Sequence, residues 1–283
     1  MKQLLIASTS TVHGSGFLDY LLEVLKIHFK TVDTILFIPY ARPGGRSHEE
    51  YTKLVQNAFS KIDKTVKGIH EYDNPKDALK SAQGIFSGGG NTFVLVDQLY
   101  KNDLMGELKT VIESGTPYLG TSAGSNICGL TIGTSNDMPI AYPKSFKTLG
   151  LVPFNINPHY LDPNPGSTHM GETRETRIQE FHHFNSQPVI GLREGSYLEV
   201  TGSKIILKGA LNARIFEKHK VPYELSPEAD VSDLVRQSQS ASPVKQLAKK
   251  VKHLYRPVTP IYKRSKPKTI INNPLPFCIR LLN

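Results

Sequence analysis

Pro117-Tyr118-Leu119-Gly120-Thr121-Ser122-Ala123-Gly124-Ser125-Asn126 decides how the rest of the chain is read. Two apolar residues, Tyr118 and Leu119, enter a G-x-S-x-G element, and small, helix-compatible residues follow it. In physical terms this is a strand, a sharp turn and a helix, with Ser122 at the apex. The glycines matter because such a turn needs backbone angles and close approaches that a Cβ obstructs. A serine held there points its hydroxyl away from the sheet, beside the N–H groups that follow it. An exposed nucleophile next to donors for an oxyanion is what acyl chemistry requires. The same residues also suit a Gly/Ser-rich connection with no chemistry, so the flanking sequence has to choose.

Working outward, Leu4 to Ala7 reads as a buried strand, and Phe17, Leu18, Leu21, Leu22, Leu25 and Ile27 recur at helical spacing. Ile35 to Ile38 is a second apolar run, ended by Pro39. Ser47 and Glu50 form a capping box for a helix running to about Ile62. Lys67 to Tyr72 predicts a weaker strand and Pro75 to Ala82 a short helix. Gly84 to Ser87 is a strand running straight into Gly88-Gly89-Gly90-Asn91-Thr92, followed by two helical pieces with a break near Asn102. Short apolar runs alternating with amphipathic helices predict an α/β fold with a mainly parallel sheet and helices on both faces. In such sheets active sites lie beyond the carboxyl ends of the strands. The Gly88–Gly90 loop and Ser122 both sit at such ends, which is the context the pentapeptide lacked.

After the serine turn the pattern changes. Thr131 to Pro165 is rich in Gly, Pro, Asn and Ser and reads as loops with short strands; it holds Asp137, His159 and Asp162. Gly171-Glu172-Thr173-Arg174 opens a helix to about Phe184, and Pro188 to Leu192 is a buried strand ending in Arg193-Glu194-Gly195. Tyr197 to Val200 and Lys204 to Leu207 form a hairpin, and Ala213 to Phe216 is read as the last strand. Residues 1–225 are thus expected to form the folded domain and 226–283 a basic, low-complexity tail.

The formal net charge is +9, but it is unevenly placed. Eleven of the 34 Lys and Arg residues, and none of the 25 Asp and Glu residues, fall between Arg236 and Asn283. The basicity therefore belongs to the tail, and no nucleic-acid binding is expected of the body. The tail's Ser, Pro and Lys content cannot bury enough apolar surface to offset ordering, so disorder is expected there, with a polybasic contact to an anionic surface as the alternative. Cys128 and Cys278 stand in no disulfide framework or metal spacing, and Cys128 reads as a packed small hydrophobe. The apolar start, Leu4 to Ala7, is too short for a signal peptide, and no stretch approaches the ~18 apolar residues of a membrane helix. A cytoplasmic location is the expectation.

A serine hydroxyl needs a base, and the base must itself be oriented. Of the ten histidines, His13, His28, His48 and His70 read as surface or packing residues, and His182 and His183 as helix-end residues. His219 and His253 lie just before and within the tail. His159 and His169 remain, in the loops after the serine, and His159 is better placed in the proline-stiffened Asn157-Pro158-His159-Tyr160. Two carboxylates could orient it. Glu194 lies just past a strand, which would put it on the same rim as Ser122. Asp137 lies in a loop, where it also suits turn formation. Chain order does not separate them, because triads are recognised by geometry. Oxyanion donors would be the N–H of Ala123 and one from the Gly88–Gly90 loop. Three glycines after a strand could instead cradle a phosphate, but no complete nucleotide-binding motif is present.

These motifs together resemble peptidase E, the aspartyl dipeptidase family of serine peptidases. The resemblance covers roughly residues 1–220. It rests on Gly88-Gly89-Gly90-Asn91-Thr92-Phe93, Gly120 to Gly124, Asn157-Pro158-His159, Gly171-Glu172-Thr173-Arg174-Glu175 and Leu192-Arg193-Glu194-Gly195. It implies a flavodoxin-like fold similar to class I glutamine amidotransferases, and cleavage of dipeptides with an N-terminal aspartate, without metal or cofactor. Carried over, Ser122 matches the nucleophile, His159 the base, and Glu194 or Asp137 the acidic member, with Glu194 favoured. Gly89, Gly90, Asn91 and Ala123 fall in the oxyanion and substrate-binding positions. Arg174 matches the arginine expected to hold the substrate's aspartate side chain; a helix-surface pairing with Glu172 or Glu175 is its alternative. The partner implied is a small acidic dipeptide, and the oligomeric state is left open. Rival functions are hydrolysis of isoaspartyl or polymer-linked aspartyl bonds, or a catalytically silent amidotransferase-like binding domain. A true glutamine amidotransferase is disfavoured, since that chemistry needs a cysteine where Ser122 stands.

Overall fold

The first strand, β1 (Gln3–Ala7), has four consecutive buried residues, Leu4 to Ala7, and consecutive burial means that both of its faces are covered. The structure, a computed structural model, describes residues 1–234 except 165, 167 and 169. The expected tail lies, from residue 235 on, outside the described residues, as does His169. Around β1 runs a seven-stranded sheet in the order β3-β2-β4-β5-β1-β8-β9. Its members are β2 (Thr34–Ile38), β3 (Thr65–Gly68), β4 (Gly84–Ser87), β5 (Tyr118–Thr121), β8 (Ser196–Thr201) and β9 (Lys204–Gly209). The five strands from β3 to β1 are parallel, and β8 and β9 add antiparallel at the far edge.

The alternation of strand side chains separates two apolar layers. Leu5, Ile35, Phe37, Phe86 and Leu119 face one way, against Leu25 of α1 (Leu22–His28) and Tyr51, Val55 and Phe59 of α2 (His48–Phe59). Leu4, Ile6, Leu36, Ile38, Ile85 and Tyr118 face the other way. They meet Leu79 of α3 (Pro75–Lys80), Leu95 and Leu99 of α4 (Thr92–Lys101), and Leu108 and Ile112 of α5 (Met105–Ser114). Helices therefore cover both faces of a mainly parallel sheet, as the apolar pattern predicts. The capping box at Ser47 is formed: its side chain accepts from Glu50 N, and Glu50 accepts from Ser47 N. Cys128 is fully buried, and burial pushes its thiol pKa up, in keeping with a packing role.

Three local expectations change. The third strand ends at Gly68 and does not reach Tyr72, because Glu71 Oε1 accepts from Gly68 N at 2.6 Å and closes a single 3₁₀ turn over residues 69–71. The strands of the C-terminal half do not all extend the main sheet. β6 (Asn155–Pro158), β7 (Val189–Leu192), β10 (Ala213–Phe216) and β11 (Tyr223–Leu225) form a second sheet in the order β11-β10-β7-β6. Its Ile156, Ile190 and Ile215 pack into the same layer as α4 and α5. β11 was not expected; it is three residues long, without a buried position, and so has no apolar signature.

The packed chain also continues beyond 225, where composition places the start of the tail. Leu207 N donates to Ala229 O and Val231 N to Ile205 O, laying this segment along β9. Val231 and Leu234 are buried. The described chain is packed as far as Leu234, and the segment covers a sheet edge that would otherwise present unpaired backbone groups. None of the helices among the described residues is long and apolar enough to cross a membrane.

Candidate active site

β5 delivers Ser122 to the end of the sheet, and α6 (Ala123–Asn126) begins at once. The reversal is sharp: Ser122 takes φ 53° and ψ −108°, a conformation that costs a non-glycine residue about 1–3 kcal/mol. It is held by packing of backbone on backbone. A Cβ on Gly120 would lie 2.4 Å from Gly124 O, and one on Gly124 would lie 2.1 Å from Ser87 O. Both contacts are far inside van der Waals distance and neither partner is a flexible side chain. Gly124→Ala is expected to destabilise the protein by at least about 3 kcal/mol, or to prevent folding, read as a melting temperature lower by roughly 10 °C. A variant melting with the parent would show that the turn can open without cost.

His159 reaches the serine from the second sheet. β6 and β7 are parallel and in register, with Pro158 opposite Leu192. The residues leaving their carboxyl ends, His159 and Glu194, therefore emerge together. His159 Nε2 lies 2.9 Å from Ser122 Oγ, and Nδ1 lies 2.6 Å from Glu194 Oε1. An ionised carboxylate only accepts, so Nδ1 carries the hydrogen and Nε2 keeps a lone pair for the serine O–H. The side chains of His159 and Glu194 are 34% and 47% exposed, so the pair opens to solvent, where a substrate can reach it.

Ser8 had no signal in the sequence. At the end of β1 its hydroxyl accepts from His159 N at 2.9 Å and donates to Leu192 O at 2.7 Å, while Tyr160 N donates to the same carbonyl. This ties the histidine's backbone, itself at φ 53°, to both sheets. An ion network braces the surroundings. Arg193 pairs with Asp162 at 2.7 Å and Glu224 at 2.8 Å, and Arg214 with Glu175 at 2.9 Å and Glu224 at 3.2 Å. The unexpected β11 supplies Glu224, the link between the two arginines.

Asp137 is not brought to the imidazole. Its Oδ2 accepts from Thr92 N at 2.8 Å, Thr92 Oγ1 at 2.5 Å and Ser135 Oγ at 3.0 Å. It sits at the start of α4, whose first N–H groups have no partner within the helix. Asn91 is the N-cap there, accepting from Val94 N, and its amide donates to Met138 O. Both residues are thus occupied at the helix start.

The glycine loop lies against the serine. A Cβ on Gly89 would stand 3.0 Å from Ser122 Cβ and 3.6 Å from its Oγ. Gly90 has φ +147°, and a Cβ there would strike Ala41 O at 2.3 Å. The amides of Gly89 and Gly90 donate to no described residue, and Ala123, as the first residue of its helix, has no preceding turn to bond.

Arg174 opens α7 (Arg174–Phe184), capped by Thr173, whose side chain accepts from Thr176 N. Burial lowers the Arg174 pKa, as does neighbouring Arg177, while Glu194, Tyr160 and Asp137 act to raise it. Its Nη1 is buried and has no hydrogen-bond partner among the described residues. The surface pairing with Glu175 is not formed, since Glu175 is engaged by Arg214. A half-buried guanidinium with an unengaged donor is suited to an incoming carboxylate.

The chain is similar to several known proteins. The family model for Peptidase family S51 matches residues 4–208. A protein of Drosophila melanogaster named "Probable alpha-aspartyl dipeptidase" is 46% identical over 238 residues, covering 83% of this chain and 98% of its own. A "Peptidase E" of Streptomyces coelicolor is 45% identical over 232 residues, covering 82% and 94%. Among solved structures, a peptidase from an acI-B1 Actinobacterium superposes with a TM-score of 0.62 at 18% identity, over 82% of this chain and 96% of that one. A putative peptidase E protein from Listeria monocytogenes gives 0.56 at 20% identity, over 74% and 98%. At such identities these two structures speak for the fold alone.

Proposed function

The chain belongs to Peptidase family S51, and from that premise we propose that it is a serine-type dipeptidase that hydrolyses dipeptides with an N-terminal aspartate. The observation that carries the chemistry is the line from Ser122 Oγ through the His159 ring to Glu194, with separations of 2.9 and 2.6 Å. The names of the relatives, alpha-aspartyl dipeptidase and peptidase E, support the substrate class.

In this reading His159 Nε2 takes the Ser122 proton as Oγ attacks the Asp–X carbonyl carbon. Glu194 holds the imidazole in the required tautomer and stabilises the imidazolium that forms. The carbonyl oxygen becomes an oxyanion within reach of the Ala123 N–H and the Gly89 and Gly90 N–H groups, which are fixed before the reaction begins. His159 then gives its proton to the leaving amine, the C–N bond breaks, and aspartate remains as an acyl ester on Ser122. Water, deprotonated by His159, attacks the ester and returns the serine.

Arg174 supplies the specificity in this proposal. A guanidinium engages a carboxylate through two parallel N–H···O bonds but repels an amide's N–H₂, a difference of a few kcal/mol. The test is a panel of Asp-Leu, Asn-Leu, Glu-Leu and Ala-Leu with the native protein and Arg174→Ala. The native protein should cleave Asp-Leu at least ~100-fold better than Asn-Leu or Ala-Leu. Arg174→Ala should lose about 10²-fold in kcat/KM on Asp-Leu and little on the neutral substrates. Equal losses across the panel would remove the recognition role, and a native protein indifferent to the first residue would remove the substrate assignment.

A further inference from the structure

A dipeptide with an N-terminal aspartate carries two carboxylates: the aspartate side chain and the C-terminal group one residue beyond the scissile bond. Only the first has a counterpart in the site described above. A second arginine approaches from a different element, the connection between β2 and α2. This connection borders the glycine loop directly, since Asn91 N donates to Ala41 O at 2.7 Å and Gly90 lies against the same carbonyl.

Arg42 follows Ala41. Its guanidinium carbon stands over the Tyr51 ring, 5.0 Å from the centroid. The Tyr51 hydroxyl donates to Gly89 O at 3.2 Å, and Gly89 in turn packs against Ser122 Cβ. The guanidinium is thereby linked to the serine through one ring and one glycine loop. Burial raises the Tyr51 phenol pKa; the Arg42 charge, a side-chain hydrogen bond from Arg42 and the Arg46 charge oppose that, so both cations lie near the ring and Arg42 spends one donor on it. The Arg42 Nε is buried without a hydrogen-bond partner, and among the described residues neither Arg42 nor Arg46 forms an ion pair. The two arginines, with Ser47, His48 and the backbone of Gly44 and Gly45, line an open cleft of about 480 Å³; Glu49 also lines it, exposed and 3.7 Å from His70 Nε2, so the arginines outnumber the carboxylate there. That exceeds the volume of any single amino-acid residue.

A residue spans about 3.5 Å of extended chain, so the C-terminal carboxylate of a dipeptide seated on Ser122 falls a short step from the scissile nitrogen. Resting on the dipeptidase reading, we propose that this cleft receives the second residue of the dipeptide and that Arg42 binds its C-terminal carboxylate. The aromatic ring beside Arg42 restrains its guanidinium, whose remaining donors suit a carboxylate in a way that a lysine's do not. Arg46, exposed at the mouth, adds positive potential. The site would then favour a peptide that ends after its second residue, because a third residue replaces the charge with an amide.

The test separates this anchor from the chemistry by measuring binding where turnover is removed. With the Ser122→Ala protein, calorimetric titration should show Asp-Leu binding at least ~30-fold more tightly than Asp-Leu amide. Adding Arg42→Gln should bring the two within about 3-fold of each other, through loss of affinity for the acid. Adding Arg42→Lys should give an intermediate ratio. The acid-to-amide ratio is taken within one preparation, so partial unfolding of a variant does not alter it. A native-sized ratio in Arg42→Gln, a ratio near one in the Ser122→Ala parent, or no binding of Asp-Leu to that parent would each overturn the assignment. Hydrolysis by the native protein reports separately: a protein that prefers the acid through Arg42 yet cleaves nothing would sink the peptidase chemistry and leave the anchor standing.

Discussion

Ser122→Ala is expected to lower kcat for Asp-Leu by about 10⁴- to 10⁶-fold, leaving KM within a few-fold and the melting temperature unchanged or higher. The size follows from what the hydroxyl does in the proposed reaction. Without Oγ there is no acyl ester, and hydrolysis must proceed by direct attack of water, helped only by binding and by the oxyanion donors. Those two contributions leave a residual of about 10³–10⁴ over the uncatalysed reaction. The expected gain in stability has its own cause. Ser122 is held at φ 53°, so alanine there meets the same backbone strain as serine, while it is relieved of a hydroxyl that has to be kept beside the imidazole. The sharper measurement is the pairing with His159→Ala. Groups acting as one unit are grossly non-additive, so the double variant should be no slower than the slower single one. Multiplicative losses would mean that serine and histidine act in separate steps. Activity of Ser122→Ala equal to the native protein would remove serine chemistry altogether.

Much of this arrangement is legible in the sequence, and the reasons are local. Gly120, Ser122 and Gly124 carry their turn in their spacing, because the turn needs a missing Cβ on either side of the serine, where an added Cβ would meet backbone at 2.4 and 2.1 Å. Tyr118–Thr121 and Gly84–Ser87 are legible as strands because both faces are covered, so each short run has no charged residue and an apolar pair at its centre or start. What is not legible depends on which distant segments become neighbours. The strand-end argument for Glu194 supposes one continuous sheet, yet β7 belongs to the second. Glu194 still arrives beside His159, because Pro158 and Leu192 are paired in register, and no residue near either of them announces that pairing. Ser8 holds His159 from 151 residues away in sequence, with an ordinary serine in an ordinary strand-end position. The packing of residues 228–234 along β9 is hidden for a related reason. Its backbone bonds carry the association, and Val231 and Leu234 are too few to stand out against the polar residues around them.

The two carboxylates that sequence leaves in competition are separated by their partners, and a pair of isosteric substitutions turns that into a measurement. Glu194→Gln is expected to lower kcat for Asp-Leu by about 10²- to 10⁴-fold with KM little changed. The amide can still sit against Nδ1, but it has lost the charge that stabilises the imidazolium. It can also present N–H₂ to the ring, which forces the hydrogen onto Nε2 and leaves the serine proton without an acceptor. Because Glu194 is half exposed and its side chain bonds only His159 among the described residues, the melting temperature should barely move. Asp137→Asn should do the reverse. Its Oδ2 accepts three hydrogen bonds at the start of α4, one from a backbone N–H and two from hydroxyls. Removing its charge from a helix N-terminus and reorganising those bonds costs about 1–2 kcal/mol, or roughly 2–8 °C in melting temperature at this size. Its kcat should stay within about tenfold of the native protein, since none of its partners is His159. The discriminating quantity is therefore the ratio of the kinetic to the thermal effect, large for position 194 and small for position 137. If the two variants exchanged these signatures, the imidazole would be oriented through Thr92 and Asp137 during turnover, and the 2.6 Å contact to Glu194 would be a resting-state pairing that the reaction does not use.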